Sequence, residues 1–510
     1  MRDRKTSGNA ILRAVFVAVS LLFQVGWLLL LILELNEYSV WISLVTSILS
    51  AALVLKLNAR TGDSSMKMPW IMLILTFPVM GLSLYLLFEI LGDPGVGKRL
   101  KQVRKEMEGC IPSDAEAVLR RMEGEDLSVA NQHRYLWKNT RWPVYENTGV
   151  EYFAEAVDAF ERMKEDLKKA ESFIFMEYFI VEDSTSFWEL EEILVEKAKQ
   201  GVDVRLMYDD IGSVGYVNML FAKRLHDQGV KCLPFNPALP VLNLFMNHRD
   251  HRKITVIDGK VGYTGGFNLA DAYFDRVRPY GKWKDTGLRL EGEAVRSLTA
   301  AFLELWALQS RKKEDYGRFL DVIHKVAADG GVQPFADNPM GEERAAENVY
   351  LNLISQADRS LYFITPYLII TDELSRSLRL AAKRGVDVRI ITPGIPDKKT
   401  VYAVTRSYYE GLIRDGVRIF EYTPGFCHAK QCICDGKIVS VGTSNLDYRS
   451  LYHHFENNVL ISGGPAVKAV AEDFEAMFDQ CEEVTGQYLT GRGTMLRTWQ
   501  YILRLFAPLL

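Results

Sequence analysis

Two short stretches of this chain carry the same chemistry-bearing residues at the same spacing. His251-Arg-Lys253-Ile-Thr-Val-Ile-Asp258 and His428-Ala-Lys430-Gln-Cys-Ile-Cys-Asp435 both read H-x-K-x4-D. One such match in 510 residues is weak, but two at equivalent places in two halves form a constellation. Side chains two apart on a strand share a face, so each stretch presents an imidazole beside an ammonium. The aspartate follows at an odd offset, which turns it away, and each runs into glycine (Asp258-Gly259, Asp435-Gly436), a pair that favours a tight hairpin turn. Asp258 and Asp435 thus complete the catalytic motif with a mainly structural part.

Each hairpin leads to an amide, through Gly265-Gly266-Phe267-Asn268 and Gly442-Thr443-Ser444-Asn445. Both asparagines fall seventeen positions after their histidine, where Asn268 and Asn445 are expected to bind phosphate oxygens. Farther on stand Trp283-Lys-Asp285-Thr and Phe455-Glu456-Asn-Asn, with a short insertion around Arg276 to Gly281 lengthening the first interval. An acid on the far ring nitrogen fixes an imidazole's tautomer, the task expected of Asp285 and Glu456. Two His, two Lys, two Asn and two acids suit displacement at a phosphodiester through a covalent intermediate. One imidazole attacks phosphorus, the other protonates the departing oxygen, and the lysines and amides neutralise the nonbridging oxygens. This chemistry requires no metal or other cofactor. A lone histidine is more often a packed or surface residue, the reading given to His133, His226 and His324. For His248, His453 and His454, which adjoin the motifs, spacing does not separate a place in the site from helix or loop surface.

The elements that must position these groups are also duplicated. Phe173 to Ile180 is a strand-like apolar run, followed by a helical pattern (Phe187, Leu190, Leu194, Ala198), a stop at Gly201 and an alternating strand from Val202. Leu361 to Ile370, the face Leu374, Leu378, Ala381, the stop at Gly385 and the strand from Val386 repeat it, down to Ala198-Lys-Gln-Gly-Val-Asp-Val-Arg205 against Ala382-Lys-Arg-Gly-Val-Asp-Val-Arg389. This predicts a duplicated β-α-β unit in an α/β fold. The expected division is 1–92 hydrophobic and membrane-anchoring, 93–140 an amphipathic linker, 141–326 the first domain, 327–346 a Gly/Pro-containing linker, 347–490 the second domain and 491–510 an amphipathic segment that lies at a membrane interface or docks on the core. The six cysteines do not make a disulfide framework and read as reduced packing residues.

A mean hydropathy of −0.04 conceals three apolar runs, Ala14 to Leu33, Val40 to Leu55 and Trp70 to Phe88, each near the length that crosses a bilayer core. No small-residue cleavage site follows the first, which argues against a signal peptide. Positive charge gathers before the first run, between the second and third, and after the third, so a hairpin of the first two with a third broken at Pro78 and Gly81 keeps the remaining chain cytoplasmic. A formal charge of −4 argues against nucleic acid as a partner.

These residues resemble the phospholipase D superfamily, and more closely the bacterial cardiolipin synthases. The closer likeness rests on Glu177-Tyr-Phe-Ile180, Tyr208-Asp-Asp-Ile-Gly-Ser213, Asn247-His-Arg-Asp-His-Arg-Lys-Ile254, Thr365-Pro-Tyr367, Gly425-Phe-Cys-His-Ala-Lys430, Gly442-Thr-Ser-Asn-Leu-Asp-Tyr-Arg449 and the closing Arg504-Leu-Phe-Ala-Pro-Leu-Leu510. Ala272 stands where the family often has an acid, and Lys284 where arginine is usual. The resemblance implies two pseudo-twofold-related phospholipase D-like α-β-α sandwich domains behind N-terminal membrane helices, in a multi-pass protein of the bacterial inner membrane. It further implies transfer of a phosphatidyl group between two phosphatidylglycerol molecules to give cardiolipin and glycerol, with His251 as nucleophile and His428 as acid/base. A membrane-bound phospholipase that passes the intermediate to water is the alternative within enzymes.

Overall fold

The computed structural model describes residues 39–60, 63–91, 94–111, 114–237 and 247–489, with scattered positions between 19 and 29 and between 500 and 507. Its first half contains strands β1 (Thr148–Phe153), β2 (Phe173–Tyr178), β3 (Asp203–Asp209), β4 (Lys231–Phe235), β5 (Arg249–Asp250), β6 (Lys253–Ile257), β7 (Val261–Gly265), β8 (Lys282–Lys284) and β9 (Gly287–Gly292). Seven of them form a sheet in the order β1-β9-β7-β6-β2-β3-β4. The second half contains β10 (Gly331–Asp337), β11 (Ser360–Ile364), β12 (Leu368–Ile369), β13 (Asp387–Pro393), β14 (Arg418–Tyr422), β15 (Gly425–Cys427), β16 (Gln431–Cys434), β17 (Ile438–Gly442), β18 (Leu446–Asp447), β19 (His454–Ser462) and β20 (Cys481–Glu483). Its main sheet runs β10-β19-β17-β16-β11-β13-β14-β20, the first order strand for strand with one edge strand added.

The expected β-α-β units are present in both halves. β2 pairs in parallel with β3 across the helix Thr185–Lys199, and β11 with β13 across the helix Asp372–Lys383. Both helices end before a left-handed glycine, Gly201 at φ +92° and Gly385 at φ +95°. Every residue of β2 is buried, Glu177 included, as in a strand covered on both faces. The helix Val295–Ser310, apolar around nearly its whole circumference, is buried along most of its length between the first sheet and β10. One continuous core draws on both halves.

Three expectations about the connecting segments change. The segment 327–346 contains β10, a fully buried strand of the second sheet; its Pro334 is tolerated because β10 lies at the sheet edge. The segment 93–140 folds into the helices Pro94–Glu108, Ala115–Glu125 and Leu127–Thr140, the last anchored where His133 bonds Gln333 and Ser462 at 2.7 and 2.9 Å. The first apolar run lies outside the described residues apart from scattered positions. The second falls in the helix Ser39–Ala59, and the third is broken at Phe77 into Ser64–Thr76 and Pro78–Leu91. Among the described residues no helix is long and apolar enough to cross a membrane. These three helices pack through Leu53, Leu57, Ile74 and Tyr85 while Leu44, Val45, Ile48, Met72 and Leu75 remain exposed. Of 491–510, Arg504 sets its guanidinium 4.0 Å over the Tyr408 ring, a docking contact with the core.

Candidate active site

Two strand pairs bridge the halves, and each delivers a histidine. β5 pairs in parallel with the start of β19, and the His251 N–H donates to the Phe455 carbonyl at 2.9 Å. β15 pairs in parallel with β8, and the His428 N–H donates to the Lys284 carbonyl at 2.7 Å. β5 is fixed from behind by Arg249, whose guanidinium forks onto Asp209, while Asp209 also accepts from the Asp250 N–H.

Because the bridging strands carry the acids, the pairing runs crosswise. His251 Nδ1 lies 2.9 and 3.0 Å from the two oxygens of Glu456, and His428 Nδ1 lies 2.7 Å from Asp285 Oδ2. Asp285 and Glu456 thus meet imidazoles as expected, and each half supplies the acid for the histidine of the other. Both acids are fully buried and held by further donors, Glu456 by the Thr443 hydroxyl and Asp285 by the Thr286 N–H at 2.9 Å.

Lys253 and Lys430 stand beside their histidines, as the same-face argument requires. Lys253 Nζ donates to the His251 carbonyl at 2.6 Å; Lys430 Nζ donates to the His428 carbonyl and lies 2.7 and 3.0 Å from the ring nitrogens. Burial lowers the proton affinity of all four groups, and neighbouring lysines deepen the effect at His251, His428 and Lys253. His251 is driven well below the ordinary imidazole range and His428 to about 4, while Lys253 falls to about 7 and Lys430 to about 8. For Asp285 burial pulls upward, but the charges of His428 and Lys430 outweigh it and the net shift is down.

The amides lie deeper. Asn268 accepts from the Ile180 N–H at 3.0 Å and donates to the Tyr273 hydroxyl at 2.8 Å, and the Tyr273 ring meets His428 edge-on at 5.2 Å. Asn445 donates to Asp447 at 3.0 Å, and its Oδ1 has no hydrogen-bond partner among the described residues. Each amide therefore keeps one N–H uncommitted in these bonds. The motif aspartates stand at the far ends of β6 and β16, away from the imidazoles. Asp258 accepts from the N–H groups of Glu171, Ser172 and Phe173 at 2.7–2.8 Å, and Asp435 repeats this with Asp358, Arg359 and Ser360 at 2.7–2.9 Å. Both adopt positive φ before a positive-φ glycine, the geometry of a tight hairpin turn. Asp258 and Asp435 thus clamp the start of β2 and of β11.

Several neighbours escaped sequence reasoning. Phe179 and Trp283 pack on His251 and His428 at 5.0 and 5.5 Å, and Asn457 accepts from the Lys253 N–H across the halves at 3.2 Å. Thr443, Asn457 and Trp283 adjoin residues already singled out, a signal that required the pairing to be known. Of the three histidines left open, His248 approaches the His453 carbonyl at 3.1 Å, whereas His454 enters the site. His251, His454 and Glu456 bring atoms able to bind a metal within 4.8 Å of one another. All six cysteines are free, with Cys427, Cys432 and Cys434 buried in strands.

Comparison with known proteins places the chain in a family. A family model described as cardiolipin synthase, PLD-like domain, matches residues 163–306 and 350–478. An uncharacterized protein of Streptococcus mutans is 39% identical over 459 residues, covering 90% of this chain and 99% of its own. A cardiolipin synthase of Halalkalibacterium halodurans is 32% identical over 500 residues, covering 96% and 95%. The crystal structure of a phosphatidylserine synthase from Haemophilus influenzae superposes with a TM-score of 0.55 at 15% identity, covering 74% of this chain and 97% of that one, a likeness of fold. With both halves matched and the likeness extending over nearly the whole length, this chain belongs to the cardiolipin synthase, PLD-like domain family.

Proposed function

We propose that this chain is a phosphatidyltransferase that joins two phosphatidylglycerol molecules into cardiolipin and glycerol. The observation that carries the reading is the pair of crosswise His–acid dyads, with two lysines, in one buried site. His251 Nε2 attacks phosphorus, the bond from phosphorus to the glycerol oxygen breaks, and His428 gives that oxygen its proton. His428 then takes the proton of a hydroxyl on the second phosphatidylglycerol, whose oxygen attacks phosphorus and releases His251. Lys253, Lys430 and the free N–H of Asn268 and Asn445 neutralise the nonbridging oxygens. The order of the histidines follows the resemblance to the phospholipase D superfamily; burial and the neighbouring lysines lower the proton affinity of both imidazoles. An incoming phosphodiester anion raises both.

The exposed apolar residues of the N-terminal helices support anchorage in the bilayer that holds the substrate, with the catalytic halves on the cytoplasmic side. Reporter fusions after residue 105 test the side, and periplasmic activity there rejects it. Purified protein given labelled phosphatidylglycerol tests the reaction: cardiolipin with glycerol is expected, and phosphatidic acid as sole product makes it a phospholipase. His251→Ala and His428→Ala each abolish turnover, and covalent lipid accumulates only when His251 is intact.

A further inference from the structure

His454 is the histidine of the site that the proposed reaction leaves without a task. It opens β19 two residues before Glu456, on the same face of the strand. It is 7% exposed, like His251, with ring centroids 5.3 Å apart. Its Nδ1 lies 3.6 Å from Glu456 Oε1, the oxygen that meets His251 Nδ1 at 2.9 Å. Neither of its ring nitrogens has a hydrogen-bond partner among the described residues. Burying two such atoms is costly, and a shift of about half an ångström makes Nδ1–H a second donor to that oxygen.

The duplication supplies the control. β8 and the start of β19 play equivalent parts, so the residue two before Asp285 corresponds to His454, and it is Trp283. The indole packs on His428 at 5.5 Å as His454 packs on His251, but its Nε1 has no hydrogen-bond partner among the described residues. The two half-sites therefore diverge at this position: one acid is faced by an imidazole able to donate to it, the other by an indole that does not.

Resting on the reading of His251 as nucleophile, we propose that His454 is a positioning residue that shares the Glu456 carboxylate with His251 and thereby holds His251 in its neutral, attacking form. Each added donor to a carboxylate weakens its pull on the others. The charged and titratable groups acting on His251 from neighbouring elements are Lys253, Lys430, His428 and Lys398, and Arg449 acts on His454. All of these oppose protonation of the imidazoles, so the grip of Glu456 decides how readily His251 takes a proton. His454 loosens that grip, whereas among the described residues no second imidazole shares Asp285 with His428, making His428 the acid.

The test is the pH dependence of single-turnover glycerol release from phosphatidylglycerol by the full chain, with product identity followed in the same samples. His454→Phe removes the donor and is expected to move the acid limb upward by about one pH unit. His454→Asn, whose amide N–H still donates, returns it to the wild-type position. His454→Leu serves if the phenylalanine variant loses its cooperative melt. An acid limb unmoved in the apolar variant, or moved equally in the asparagine variant, overturns the proposal and leaves His454 a packing residue. Wild-type protein that releases no glycerol overturns the transferase reading instead.

Discussion

The crosswise pairing makes Glu456→Gln and Asp285→Asn kinetically distinct. Glu456 meets His251 through both oxygens, at 2.9 and 3.0 Å, and Asp285 meets His428 through one, at 2.7 Å. An amide preserves the shape and removes the charge, exchanging a charge-assisted bond of about 1.5–3 kcal/mol for a neutral one of about 1. The loss of about 0.5–2 kcal/mol slows the affected step about 2- to 30-fold. With Glu456→Gln that step is the attack of His251, because the positive charge developing on the imidazole loses its counter-ion. With Asp285→Asn it is proton delivery by His428. A donor whose headgroup is nitrophenol leaves without needing a proton, so the two variants separate. Rapid-quench measurement of the covalent lipid–protein adduct is expected to show Asp285→Asn restored toward wild type on the activated donor and Glu456→Gln still slow. Rescue of Glu456→Gln alone refutes the assignment, and equal rescue of both refutes the separate roles.

Asp258→Ala is expected to cost stability more than chemistry, because three backbone N–H groups lose their acceptor; a fall of about 2–4 kcal/mol in denaturant unfolding with near-normal turnover of the folded fraction checks this. Gly266→Ala puts a Cβ onto Asp285 Oδ1, so turnover falls as in Asp285→Asn and is likewise restored on the nitrophenyl donor, while the melting temperature changes little. The lysines, at about 7 and about 8, must be charged to neutralise the phosphodiester, so kcat/KM falls as pH rises through that range. The kcat limb lies higher, because bound phosphate favours the ammonium. Stability has the opposite sign: the unfolded chain binds more protons above pH 7 until the ordinary lysine range near 10.4, so through that window these two groups make unfolding harder as pH rises, measurable by denaturant titration at several pH values.

Much of the site was legible because its signals are local. His and Lys two apart do stand side by side, although only Lys253 lies within a strand, the Asp-Gly pairs announced the turns, and the repeated helix stop marked the β-α-β units. What escaped depends on how the halves meet. β5 and β8 are two and three residues long, too short for periodicity, yet they decide which acid meets which histidine. Intervals of thirty-four and twenty-eight residues do not tell which acid serves which ring, since the chain measures distance along itself and the site does not. β10 hid in a segment rich in Gly and Pro because its edge position tolerates the proline that a central strand would reject. His454 was indistinguishable from surface until β19 gave it the face of Glu456.

The exchange of acids between halves also sets an order in time. As the chain leaves the ribosome, His251 emerges some two hundred residues ahead of Glu456, and His428 waits for the halves to close before it meets Asp285. Until the second half has been made, the first half holds His251 with no acid at its Nδ1. Both His–acid dyads are assembled only once the two halves are present, so a product that stops or is clipped between them lacks both.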